Sequence, residues 1–269
     1  MSKISKTNRI ESKFNDLKNS GEKALIAFIT GGDPNIETTA KLILAMEEAG
    51  VDIIEIGIPF SDPVAEGPVI QEADARALAA GCTVDKLFDM AESLRCKTDI
   101  PLLFMTYANP IYAYGKEKFM AKCSESGIDG VIVPDVPFEE KGEFSEECER
   151  YGICQISLIA PTSGERTEKI ALEAQGFLYC VSSLGVTGMR SDINTGIAEM
   201  IKQVKAVSSI PCAVGFGIST PEQARDMAAV SEGVIVGSAI VKLVAEFGEN
   251  SVIPVKNFVS ELKRGYSHG

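Results

Sequence analysis

Eight short runs of apolar and β-branched residues recur along this chain, and segments with helical spacing of apolar residues separate them. The runs cover residues 24–30, 52–58, 101–107, 130–135, 155–160, 177–182, 211–217 and 233–238. Near-continuous apolar runs are typical of parallel strands that are covered on both faces. Their alternation with helices predicts an α/β fold, a single (β/α)8 TIM barrel that spans residues 1–269 as one domain. The alternative architecture is an open doubly wound sheet.

The predicted helices follow the strands, and two more segments extend the pattern. The helices are expected at residues 37–49, 85–95, 116–126, 139–150, 165–174, 197–207 and 221–229. An extra amphipathic helix at 9–19 would cap the bottom of the barrel, and a short helix at 239–246 follows the eighth strand. Two connections are long, at 59–81 and 183–194, and long loops at the carboxyl ends of barrel strands are where active sites lie.

Composition excludes several classes of function. The chain has 26 Lys and Arg against 38 Asp and Glu, a formal charge of −12, which disfavours a general binder of nucleic acid or of an anionic membrane. Residues 1–19 are polar, and no stretch approaches the roughly 18 apolar residues of a membrane span. Seven cysteines without a C-x-x-C spacing argue against a disulfide framework and a zinc site, and they favour a reducing cytoplasm.

Histidine is nearly absent, and this narrows the chemistry. The single histidine, His268, is second from the end of the chain, where residues are commonly frayed. A histidine base, a histidine metal ligand and a Ser-His pair are therefore disfavoured, and no metal site is expected. Proton transfer falls to Asp, Glu, Lys, Tyr or Cys.

Glu55 is the most informative residue of the second strand. Side chains alternate along a strand, so an outward face of Ile54, Ile56 and Ile58 leaves Glu55 pointing into the barrel near its carboxyl end. Burial raises the pKa of a carboxyl group, and a Glu tuned toward neutral pH can both donate and accept protons. The alternative is a structural carboxylate paired with Lys or Arg, but no Lys or Arg occupies an inward strand position.

The loop after this strand adds two acids, Asp62 and Glu66, and three prolines that stiffen it. Such a loop can hold a second carboxylate over the barrel mouth; a solvated surface loop is the alternative.

Glycines at the ends of the seventh and eighth strands predict a phosphate site. Gly217 and Gly237 end these strands, and Ser238 opens the short helix that follows. Loops after strands seven and eight, together with a helix N-terminus, form the usual phosphate cradle of this fold. The run 185–188 (GVTG) would add a third wall and a lid. Tight turns alone are the alternative explanation of these glycines.

Aromatic residues offer walls for a flat substrate, although barrel packing is the default explanation for each of them. The candidates are Phe28, Phe104, Tyr107, Phe177, Tyr179 and Phe216.

At residues 55–63 (EIGIPFSDP) the sequence resembles the tryptophan synthase alpha chain family. The match continues in order at 107–110 (YANP), 134–137 (PDVP), 185–188 (GVTG), 215–218 (GFGI) and 237–240 (GSAI), and it covers essentially the whole chain. The resemblance implies a lyase that cleaves indole-3-glycerol phosphate to indole and glyceraldehyde 3-phosphate for L-tryptophan biosynthesis.

The resemblance also assigns roles to residues. Glu55 matches the catalytic Glu, and Glu66 matches a second acid that is usually Asp, so this chain departs from the family by one methylene group. Thr187 matches the residue that pairs with this acid when the loops close. Phosphate contacts match Gly188, Gly217, Gly237 and Ser238. Indole-pocket positions match Phe28, Tyr107, Ile159, Tyr179 and Phe216.

The family's alpha chain docks on a beta chain in an alpha2beta2 tetramer and passes indole to a pyridoxal-phosphate site in that partner. The resemblance implies no cofactor in this chain. Positions that match the docking surface are Asp62, Pro63, Asn109, Asp135 and Pro137.

Two other functions remain open on the residues alone. One is a different phosphate-binding barrel, such as an epimerase or isomerase of a sugar phosphate, whose metal-dependent forms need inward histidines. The other is a barrel that activates the beta chain with little turnover of its own.

Overall fold

The computed structural model describes residues 8–181, 190–215 and 217–266. Within these ranges eight parallel strands close into a barrel, and each strand pairs with its neighbours in sequence order. The strands are β1 (Ala24–Thr30), β2 (Ile53–Gly57), β3 (Leu102–Met105), β4 (Gly130–Ile132), β5 (Cys154–Ile159), β6 (Leu178–Val181), β7 (Cys212–Gly215) and β8 (Gly233–Val236). The predicted (β/α)8 barrel is confirmed, and the open doubly wound sheet is excluded.

Helices surround this barrel in the described part of the chain. They are α1 (Arg9–Ser20), α2 (Ile36–Glu48), α3 (Pro68–Ala79), α4 (Val84–Leu94), α5 (Ala108–Tyr114), α6 (Lys116–Ser126), α7 (Gly142–Tyr151), α8 (Arg166–Glu173), α9 (Arg190–Val207), α10 (Pro221–Ala228), α11 (Ser238–Phe247) and α12 (Val252–Tyr266). Helices α5 and α12 are additional to the helices expected from the sequence.

Helix α3 lies where the sequence analysis expected a long loop. Pro68 occupies the first helical position, directly after Gly67. A proline fits this position because the backbone N–H that it lacks would have no partner within the helix. The side chains of Ile70, Ala73 and Ala77 are buried, so α3 packs one face onto the barrel. The connection from β2 is therefore shorter and more rigid than the proline-rich sequence indicated.

Helix α1 closes the bottom of the barrel, as the sequence predicted. Its apolar face, Ile10, Phe14 and Leu17, packs against the interior side chains, and the Phe14 and Phe177 rings lie 5.7 Å apart. Burial of such side chains stabilises the fold by about 2 kcal/mol each. Arg9 of α1 also reaches Asp129, just before β4, at 2.9 Å. With the bottom filled, the carboxyl ends of the strands are the open end of the barrel.

Among the residues that the structure describes, no helix is both long enough and apolar enough to cross a membrane. Within the same ranges, no three His, Cys, Asp or Glu side chains lie together as a metal site would require. The seven cysteines are free thiols, and only Cys96 is exposed.

Candidate active site

Glu55 points into the barrel, which confirms the orientation predicted from strand alternation. In β2, Ile54 and Ile56 pack outward with the helices, while Ile53 packs with the interior side chains. Glu55 is fully buried, and neither carboxyl oxygen has a hydrogen-bond partner among the described residues. Burial raises the pKa of Glu55 to about 8. At neutral pH the interior therefore holds a carboxylic acid that carries a transferable proton.

Two aromatic side chains flank this acid. Phe28 pairs with Glu55 in the β1–β2 register. The pKa of Tyr179, on β6, is raised mainly by burial and further by the nearby Glu55 charge. Both rings pack directly against glycines. A Cβ on Gly57 would lie 2.7 Å from Phe28, and a Cβ on Gly215 would lie 2.7 Å from the Tyr179 hydroxyl. The absence of these Cβ atoms makes room for aromatic walls beside the acid.

A second acidic group forms where the β2 loop meets α3. Burial raises the pKa of Glu66 above its ordinary value, and the neighbouring Asp74 and Tyr107 side chains offset part of this rise. The Tyr107 hydroxyl also accepts a hydrogen bond from the Ala65 N–H at 3.1 Å, and the Tyr107 ring lies 5.5 Å from Phe60. Tyr107 thus fixes the loop that carries Glu66.

The β7 and β8 ends have the features of an anion site. Gly217 has a φ of +72°, a conformation that suits glycine, and a Cβ there would touch nothing. Helix α11 begins at the exposed Ser238, directly after Gly237, and no side chain caps its first N–H groups. Unpaired amides at a helix N-terminus favour a bound phosphate.

One predicted pocket residue lies elsewhere. Ile159 packs between β5 and the surrounding helices, in a cluster with Ile170 and Cys180, and it is 2% exposed. The neighbouring Leu158 packs with the interior cluster instead. The reason is strand alternation, because Cys154 and Ile156 also face inward and Leu158 continues their face.

Three other predicted residues, Thr187, Gly188 and Phe216, lie outside the described residues. The predicted partner positions lie at the carboxyl ends of β2, β3 and β4, four of them on loops and Asn109 in α5. Four of these positions are exposed, namely Asp62, Asn109, Asp135 and Pro137. The fifth, Pro63, is half-buried. The Asp135 carboxylate also accepts hydrogen bonds from the Ala108 N–H at 3.1 and 3.2 Å, which ties the β4 loop to the start of α5.

Sequence reasoning missed the residues of α3 that build the second acidic group. Burial and the neighbouring Glu66 charge raise the pKa of Asp74 to about 8, and Arg76 forms two hydrogen bonds to Asp33, at 2.9 and 2.8 Å. The signal for Asp74 was present, since it shares helical spacing with the buried Ile70 and Ala77. Arg76 and Asp33 are 43 residues apart in the sequence, so no local spacing of residues predicts that they pair.

A closed barrel with a buried acid on β2 and free amides after β8 defines a TIM barrel with its site at the carboxyl ends of the strands. Comparison with known proteins narrows this class. Residues 14–266 match the family model described as tryptophan synthase alpha chain. The tryptophan synthase alpha chain of a Thermoanaerobacter species is 50% identical over 258 residues, which are 95% of this chain and 98% of the relative.

Solved structures of tryptophan synthase chains are similar to this chain as well. Tryptophan synthase subunit alpha from Legionella pneumophila superposes with a TM-score of 0.88 at 37% identity, covering 96% of this chain and 98% of that one. A chain from the tryptophan synthase a2b2 complex of Pyrococcus furiosus gives 0.82 at 38% identity, covering 89% and 97%. The chain belongs to the tryptophan synthase alpha chain family.

Proposed function

We propose that this chain is a carbon–carbon lyase that cleaves indole-3-glycerol phosphate to indole and glyceraldehyde 3-phosphate. The observation that carries the proposal is the fully buried, unpaired Glu55 at the open end of the barrel, with a pKa raised to about 8. A retro-aldol cleavage needs a group that can donate one proton and accept another within the same site.

Glu55 performs both proton transfers in this mechanism. Its neutral carboxyl donates a proton to indole C3, which converts the ring into an electron acceptor. The resulting carboxylate accepts the proton of the glycerol hydroxyl on the adjacent carbon. The bond between that carbon and C3 breaks, its electron pair returns to the ring, and the aldehyde forms. Protons balance, because Glu55 ends the cycle as it began.

Other residues bind the two ends of the substrate. The Glu66 carboxylate accepts a hydrogen bond from the indole N–H, which becomes more acidic as the ring gains positive charge. Phe28, Tyr107 and Tyr179 form the apolar walls. Gly217, after β7, and Gly237 and Ser238, at the start of α11, hold the phosphate with their backbone amides. Thr187, Gly188 and Phe216 lie outside the described residues, and the family match assigns them to loop closure, phosphate binding and the indole pocket.

The test is release of indole from indole-3-glycerol phosphate by the purified chain. Glu55→Gln keeps the shape of the side chain and removes the transferable proton, so cleavage should fall by at least about a thousandfold. Binding of glycerol phosphate, measured by calorimetry, should survive. Glu92→Gln, on the exposed face of α4, is the matched control and should behave as the unaltered chain. Full activity in Glu55→Gln would remove the mechanism.

We also propose that the chain docks on a beta chain as part of an alpha2beta2 tetramer, in the cytoplasm. The relative from Pyrococcus furiosus comes from such a complex. Asp62, Pro63, Asn109, Asp135 and Pro137 form the docking surface, and pyridoxal phosphate belongs to the partner alone. Asn109→Lys should weaken co-elution with the beta chain while indole release by the isolated chain persists. Unaltered co-elution would place the interface elsewhere.

A further inference from the structure

Thr30, the last residue of β1, carries a buried hydroxyl that the proposed mechanism does not use. The residue is 2% exposed, and its hydroxyl oxygen has no hydrogen-bond partner among the described residues. In β1, Ile29 packs outward with the helices and Ile26 packs with the interior side chains, so Thr30 continues the interior face. A buried hydroxyl without a partner destabilises the fold. We therefore looked for a partner that the hydroxyl would meet when the site is in use.

On one side of Thr30 lies the strand that carries the buried acid. Phe28 is in register with Glu55, and Thr30 is in register with Gly57 on β2. At about 3.3 Å per residue, Thr30 lies about 7 Å nearer the open end of the barrel than the level of Glu55. Both carboxyl oxygens of Glu55 are also buried without partners among the described residues. The interior faces of β1 and β2 thus hold three unpaired polar atoms.

On the other side of Thr30 lies the predicted phosphate site. Strand β1 pairs with β8 up to Ala27, which is in register with Val236. A Cβ on Gly237, the next residue of β8, would lie 3.2 Å from the Cβ of Phe28. The end of β1 therefore separates the acid on β2 from the start of α11. In the proposed function the glycerol chain joins the indole ring to the phosphate, and this chain must cross the end of β1.

We propose that Thr30 is a substrate-binding residue whose hydroxyl forms a hydrogen bond with the hydroxyl on the middle carbon of the glycerol chain. This inference rests on the proposed function, in which Glu55 acts on the other hydroxyl, next to the indole ring. A site with a buried hydroxyl discriminates against a ligand that lacks the matching group, because its own hydroxyl then stays unpaired. Thr30 thus selects a hydroxylated chain, and the free protein is less stable for keeping this group.

Binding of two small phosphates tests this contact without turnover. Glycerol 3-phosphate carries the hydroxyl, whereas n-propyl phosphate has the same chain without hydroxyls. Thr30→Val keeps the shape of the side chain, and calorimetry should show about tenfold weaker binding of glycerol 3-phosphate with unchanged binding of n-propyl phosphate. Thr30→Ser restores a hydroxyl and should bind both within about twofold of the unaltered chain. An equal loss for both phosphates, or a loss for neither, overturns the inference.

Urea unfolding separates this role from a structural one. Thr30→Val removes an unpaired hydroxyl, so the midpoint of unfolding should rise by about 0.5 M. Thr106→Val is the matched control: Thr106 is 1% exposed, its hydroxyl is unpaired among the described residues, and alternation places it on the outward face of Phe104. It should raise the midpoint as much and leave the affinity for glycerol 3-phosphate unchanged. A lower midpoint in Thr30→Val would show that the hydroxyl has a structural partner, and the inference would fail.

Turnover distinguishes this inference from the proposed function. With indole-3-glycerol phosphate, Thr30→Val should raise KM about tenfold and largely keep kcat, because Thr30 binds a part of the substrate that does not react. A chain that releases indole with an unaltered KM in Thr30→Val would retain the proposed function and overturn the role of Thr30. A chain that distinguishes the two phosphates through Thr30 but releases no indole would refute the proposed function and leave the hydroxyl contact established.

Discussion

Replacement of Glu55 by Gln should stabilise the fold by an amount that grows with pH. The carboxyl has a pKa of about 8 in the folded chain against an ordinary value of 4.5. The unfolded chain therefore loses this proton at a lower pH, and the stability of the folded state falls as pH rises between the two values. At about 1.4 kcal/mol per pKa unit, keeping Glu55 neutral costs the fold about 3 kcal/mol at pH 7. Gln has no proton to lose and escapes this cost.

Urea unfolding followed by circular dichroism measures the effect. The free energy of unfolding of Glu55→Gln, minus that of the unaltered chain, should increase by about 3 kcal/mol between about pH 5 and about pH 8. A constant difference in packing between Glu and Gln shifts the two curves but does not change this increase. Glu92→Gln removes the same charge from an exposed position and should show no such increase.

Parallel stability curves for Glu55→Gln and the unaltered chain would refute the reasoning. They would mean that Glu55 ionises at the same pH in the folded and unfolded states, and hence that the barrel solvates its charge. The proton that the proposed mechanism assigns to Glu55 would then be absent at neutral pH. The stability measurement therefore tests the chemistry without a substrate.

Three further changes test other parts of the site. Glu66→Asp should preserve or improve kcat/KM for indole release, and a collapse would show that Glu66 is not the acceptor of the indole N–H. Gly215→Ala places a Cβ 2.7 Å from the Tyr179 hydroxyl, so KM should rise and urea unfolding should show a loss of about 2 kcal/mol; an unchanged KM contradicts this. Arg76→Ala leaves the buried Asp33 unpaired and should cost about 2 kcal/mol, a loss that a second change, Asp33→Asn, should largely remove.

The barrel could be predicted from the sequence because the pattern that marks each strand lies within a few consecutive residues. Each strand is a short apolar run, and the predicted bounds of β1 coincide with the observed Ala24–Thr30. Alternation within β2 was enough to direct Glu55 inward. The same rule, applied to β5, would have selected Leu158 in place of Ile159, which came from the family resemblance and not from strand alternation.

The second acidic group was predictable only in part. On sequence alone, Pro68 is grouped with Pro59 and Pro63 as a residue that stiffens the loop, although a proline after glycine also begins helices. Without α3 there was no helical face on which to place Asp74. The hydrogen bond from the Ala65 N–H to the Tyr107 hydroxyl depends on the way two successive loops pack, and no spacing in the sequence encodes it.

Glycine serves this site in two physically different ways. After β7 and β8, Gly217 and Gly237 lie where the sequence predicted a phosphate site, and in the proposed function their backbone amides bind the phosphate. Inside the barrel, the missing side chains of Gly57 and Gly215 determine where the Phe28 and Tyr179 rings can lie. The backbone of a closed barrel does not move easily, so the backbone atoms of these two glycines fix the positions of the rings. The positions of the two aromatic side chains beside Glu55 therefore depend on the missing Cβ atoms of Gly57 and Gly215, and in the proposed function these side chains form the flat walls of the indole site.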